Sequence, residues 1–88
     1  MFRERNDMKS FHLTIARVGE NVFDGEATSV TLPGTEGMFT VLADHAPLVT
    51  TLKEGEAKIV SANGEHHHVP VPAGGIAEIS KNQATIIL

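Results

Sequence analysis

A chain of 88 residues without cysteine makes one small domain, whose core buries only about 60–65% of the unfolded surface, and it excludes a disulfide framework or a thiolate metal site. No apolar run approaches the roughly 18–20 residues of a spanning helix, and the opening MFRERNDMKSF has no signal-peptide apolar region, so a soluble chain in a reducing compartment is expected. From Ser10 onward nine acidic residues outnumber four basic ones, Arg17, Lys53, Lys58 and Lys81, a balance that disfavours nucleic acid and anionic lipid and leaves proteins as the expected partners.

Residues 1–9 are polar and aperiodic and read as a disordered leader, with Met8 a possible alternative start. Residues 10–88 read as short strands separated by turn signals, the pattern of an all-β sandwich or flattened barrel of eight to ten mostly antiparallel strands. In FHLTIARV, Phe11, Leu13 and Ile15 alternate with His12, Thr14 and Ala16, which buries one face. Asn21 and Asp24-Gly25 bracket Val22-Phe23 and predict a tight turn or bulge. Thr28, Val30 and Leu32 share a face of a strand that closes at Pro33-Gly34. Met38–Leu42 is a compact apolar strand in which Met38 and Phe39 point opposite ways, one to the core and one outward.

Beyond the Pro47 corner, Leu48–Leu52 forms the next strand, and Glu54-Gly55 turns into Ala57–Ala62. Asn63-Gly64 predicts a type I′ hairpin, which needs positive φ at both central residues. On the returning strand His67, Val69 and Val71 share a face, while Pro70 and Pro72 donate no ladder hydrogen bond and predict an edge position. Ala73-Gly74-Gly75 leads into Ile76–Ser80, and Lys81-Asn82 turns into Ala84–Leu88. Glu78, between apolar neighbours, reads as a solvated sheet residue or a partner-facing charge.

No catalytic residue, cofactor site or metal site is expected. His45 lacks an adjacent nucleophile, and its neighbour Asp44 points to the other side of an extended chain. In His66-His67-His68 the outer two share a strand face, but no Cys, Asp or Glu stands at supporting spacing apart from Glu65, so edge-strand polar residues are the expectation. Gly34-Thr35-Glu36-Gly37 is too short for a phosphate loop and lacks the following Lys-Ser/Thr and helix.

Five motifs stand in a fixed order: Phe23-Asp24-Gly25, Gly34-Thr35-Glu36-Gly37, His45-Ala46-Pro47-Leu48, Lys53-Glu54-Gly55 and Gly74-Gly75. Together they resemble the N-terminal β-sandwich domain of the epsilon subunit of bacterial F-type rotary ATP synthases. Where that family has Pro-Gly before His-Ala-Pro this chain has Ala43-Asp44, and Asp tolerates left-handed φ better than most residues. Family members commonly carry a C-terminal helix pair, the seat of their inhibition of hydrolysis and their ATP binding, and neither function is carried over. The strand Thr85–Leu88 ends cleanly, and a naturally short form is the expectation.

The resemblance implies a non-catalytic rotor subunit of the central stalk, linking gamma to the c-ring and coupling ion flow to ATP synthesis. It would be peripheral at the cytoplasmic face of the bacterial plasma membrane, without direct membrane insertion. It implies a ring-facing set of Thr35, Glu36, Met38, Asp44 and His45, and a gamma-facing position at Thr50, with Glu36 and Asp44 placed to meet ring arginines. The alternative is a free-standing β-sandwich binding module, for which the absence of Trp and Tyr leaves few stacking residues.

Overall fold

Alternating apolar residues bounded by Gly, Pro, Asn and Asp form strands, and the computed structural model, which describes residues 9–88, contains eight. They are β1 (Phe11–Arg17), β2 (Glu20–Gly34), β3 (Gly37–Leu42), β4 (Leu48–Thr51), β5 (Gly55–Ser61), β6 (His66–Val71), β7 (Ile76–Ser80) and β8 (Gln83–Ile87). The leader expected over 1–9 falls outside the described residues except for Lys9.

The sheet runs β4-β7-β8-β1-β2-β5-β6, with β3 on β2. All pairings are antiparallel except β1 with β8. The 15-residue β2 is the spine: its first half pairs β1 and its second half pairs β5 and β3. Thr28 is an extra residue between Ala27, opposite Ser61, and Ser29, opposite Val60. Such a bulge bends and twists a strand, and here it lets β2 pass from one layer to the other. Thr28 is buried, and its hydroxyl donates to the Val60 carbonyl at 3.3 Å, which satisfies the polar group at the bend. Leu13, Ile15, Ala77, Ile79, Ala84 and Ile86 from one layer and Val30, Leu32, Val41, Ala57, Ile59, Val69 and Val71 from the other then form one core.

Three local expectations are corrected or sharpened. No turn closes around Val22-Phe23: the hairpin turns earlier, at Val18-Gly19, where Gly19 supplies a φ of 81°. Ile15 faces Phe23 while Ala16 faces Asn21, so Val22 is the extra residue of a bulge inside β2. The β5–β6 turn is not type I′, because only Gly64 has positive φ (88°) and Asn63 does not. Instead Gly64 N–H donates to the Ser61 carbonyl at 2.9 Å, and the Asn63 amide oxygen accepts from Glu65 N–H at 3.2 Å and from the Ser61 hydroxyl. Asn63 therefore acts through its side chain rather than through a left-handed backbone. At the β7–β8 turn Asn82 does take the left-handed backbone, with φ 63°. The edge position of β6 is observed, with Pro70 exposed and Val69 and Val71 buried.

Candidate functional site

The β2–β3 hairpin closes with Gly34 opposite Gly37, whose φ of 129° is open to glycine and strained for L side chains. Thr35 N–H donates to the Thr51 carbonyl at 3.2 Å and Lys53 N–H to the Pro33 carbonyl at 2.9 Å, so the turn is fastened to the end of β4. That fastening makes a shallow groove of about 280 Å³ whose walls include Glu36, Met38, Phe39, Leu48 and Thr50. Phe39 packs on the core while Met38 is 55% exposed, which settles the opposite-facing pair in that sense. Thr50 sits opposite buried Ala77 and is half-buried in the groove, whereas its neighbour Val49 points outward opposite Glu78. Thr35, Glu36, Met38 and Thr50 are thus brought together.

Asp44 and His45 are not part of that group. They follow β3 at its far end, and six residues of strand put roughly 17 Å between the two positions. Asp44 has φ 64°, the left-handed conformation where the resembled family has Gly. His45 N–H donates to the Leu42 carbonyl at 3.2 Å, and His45 Nδ1–H donates to the Ala46 carbonyl at 2.7 Å. The corner is therefore held by one backbone bond and by one bond from the His45 ring to the backbone. Lys9 pairs with Asp44 at 3.1 Å, but both side chains are largely solvated, so the pair contributes little.

Two features escape a reading of one strand at a time. His12 Nε2–H donates to Asp24 at 2.7 Å and Nδ1–H to Glu26 at 3.3 Å, while Ser10 donates to the same Glu26 carboxylate at 2.9 Å. Register explains it: Thr14 faces Asp24 and His12 faces Glu26, so both carboxylates stand on the outer face beside the ring. The second feature is an outward apolar band of Val49, Ile76 and Ile87, with Glu78 next to Val49 and Ile76 directly opposite Ile87. Outward alternation in β4, β7 and β8 is the signal, once their pairing is known.

The hydrogen bond to Asp24, then that to Glu26, raises the His12 pKa above the ordinary 6.5, because both ring nitrogens donate only in the imidazolium form. A raised folded-state value stabilises the fold fully below the unfolded value, and the contribution is lost as pH rises through the folded value, provided the carboxylates stay ionised. In an NMR titration the His12 ring should show its inflection above 6.5. His12→Gln should remove this component of the pH dependence of stability; an inflection at or below the free value would mean the two contacts do not persist in solution.

Among the described residues no group of three or more His, Cys, Asp and Glu is placed to hold a metal ion, and no helix is long and apolar enough to cross a membrane. The fold and these features define a small all-β sandwich that presents a fastened turn, a hydrogen-bonded corner and half-exposed apolar side chains at its surface. The chain belongs to the ATP synthase delta/epsilon chain β-sandwich domain family, whose model matches residues 10–88. It is 38% identical over 80 residues to the ATP synthase epsilon chain of Delftia acidovorans, covering 91% of this chain and 57% of that one. It is 42% identical over 80 residues to the ATP synthase epsilon chain of a Bradyrhizobium species, covering 91% of this chain and 58% of that one. This chain therefore spans less than three fifths of the length of these relatives. The fold is shared with a chain of the Euglena gracilis mitochondrial ATP synthase, at TM-score 0.82 and 22% identity, over 96% of this chain and 54% of that one. A chain of the Tetrahymena thermophila mitochondrial ATP synthase central stalk and c-ring has TM-score 0.69 at 16% identity, over 93% of this chain and 65% of that one.

Proposed function

We propose that this protein is a non-catalytic rotor part of a proton-translocating F-type ATP synthase, seated in the central stalk between gamma and the c-ring. The carrying observation is the family match across residues 10–88. In this reading it turns with gamma and transmits torque, peripheral to the membrane at its cytoplasmic face. Thr35, Glu36 and Met38 form one contact with the ring and Asp44 with His45 a second, a strand length away at the other end of β3. Two separated contacts resist rocking in a way that one cannot, which suits a part that must transmit torque without tilting. Thr50 meets gamma from the groove it shares with Glu36 and Met38. Glu36 offers a carboxylate to a ring cation, and Met38 offers an exposed, adaptable apolar contact.

The test is a pull-down with the gamma subunit and c-ring of the same organism, combined with ATPase assays of the catalytic head. Stoichiometric gamma binding with little change in hydrolysis is the expected result. The double substitution Glu36→Arg, Met38→Asp should weaken ring binding about 10- to 100-fold, since it reverses a charge and removes an apolar anchor. Both side chains are exposed, so the melting temperature should hardly change. Failure to bind gamma would overturn the rotor reading in favour of a free-standing binding module.

A further inference from the structure

The edge strand β6 carries a feature that torque transmission does not use. His66 and His68 are both exposed, and alternation puts them on the same outer face, about 7 Å apart along the strand. His67 points the other way, its ring edge-on to Phe23 with centroids 5.4 Å apart. Across the ladder the outer face presents Val60 opposite His66, Lys58 opposite His68 and Glu56 opposite Pro70. The Glu56 carboxylate lies 3.2 Å from His68 Nδ1. An ionised carboxylate only accepts, so Nδ1 carries the proton and the lone pair of the neutral ring is on Nε2. A carboxylate held against one ring nitrogen is the arrangement that orients a histidine to ligate through the other.

We propose that His66 and His68 form a two-nitrogen site for a borderline divalent cation such as Zn²⁺, with Glu56 as the positioning residue for His68. Imidazole suits such ions, at Zn–N distances of about 2.0–2.1 Å. No third protein ligand joins them among the described residues, so water completes the coordination shell and binding is weaker than at a closed protein site. His66 and His68 are both exposed, which leaves the face accessible. The Lys58 ammonium is the opposing influence, and its flexible stem lets it swing away at a cost in affinity. The site is independent of the rotor reading.

Zn²⁺ titration of the whole chain by calorimetry, with NMR of the histidine rings, tests the proposal directly. Expected are 1:1 stoichiometry, shifts confined to the His66 and His68 rings, and weaker binding in acid, where protons occupy the same lone pairs. His66→Gln or His68→Gln should abolish binding, Glu56→Gln should weaken it about tenfold, Lys58→Gln should tighten it severalfold, and His67→Gln should leave it unchanged. Equal loss with His67→Gln would show that the run binds as an unstructured tract and would overturn the site. Two chains per ion would overturn the water-completed shell. Binding that is only millimolar, or that survives in the double His66→Gln, His68→Gln variant, would mark an adventitious ion only.

Discussion

Leu13→Ala is expected to cost about 4 kcal/mol, towards the upper part of the range for buried leucines. Leu13 is fully buried in the middle of β1, and its register partners are Gly25 in β2 and Ala84 in β8. A small residue on each side means that one large side chain fills the space over three strands, and neither neighbour can reach into the cavity left behind. The cost of such truncations follows how poorly a site collapses, and this site is built to collapse poorly. A domain of this size has a total stability of about 4–13 kcal/mol, so the loss takes a large share of it and lowers the melting temperature by roughly 15–30 °C. Chemical denaturation and thermal melting both check this. A loss below about 1.5 kcal/mol would show that the two layers close up over the missing side chain.

Much of this architecture was legible because strand signals are local. Phe11, Leu13 and Ile15 declare a buried face by alternation alone, Pro70 declares an edge by its missing donor, and Asp44 takes the left-handed backbone that its side chain tolerates. What was not legible depends on register between strands distant in sequence. Nothing in HLT or DGE says that His12 will meet Asp24 and Glu26, since that follows from where the Val22 bulge falls. Likewise His68 finds Glu56 only through the β5–β6 pairing, so the carboxylate that orients it is invisible at the spacing of the histidine run. Asn63-Gly64 marked a hairpin correctly but the wrong turn, because an Asn side chain can satisfy the loop without a positive φ. The residues proposed to face the ring fall into two groups for the same reason: a motif list gives order along the chain, and only β3 itself shows that Glu36 and Asp44 stand at its opposite ends.

Gly34→Ala should destabilise the protein by about 1–3 kcal/mol, the usual cost of overpacking, and it should also move the Glu36 turn. A Cβ at position 34 would come within 2.9 Å of the Gly37 carbonyl oxygen and 2.9 Å of the Phe39 ring. The two obstacles differ in kind. The Phe39 ring is a side chain that packs on the core and can shift at some expense, but the Gly37 oxygen is backbone across the hairpin and moves only if the turn opens. Opening it strains the Thr35 N–H to Thr51 carbonyl bond that ties the turn to β4, and so displaces Glu36 and Met38 relative to Thr50. Hydrogen exchange at the Thr35 amide should therefore accelerate more than the global loss of stability accounts for. Adding Phe39→Leu to Gly34→Ala separates the two contacts: it should relieve the ring clash without restoring Thr35 protection. Recovery of both stability and protection in the double variant would mean that the ring alone demands glycine here and that the turn tolerates a side chain.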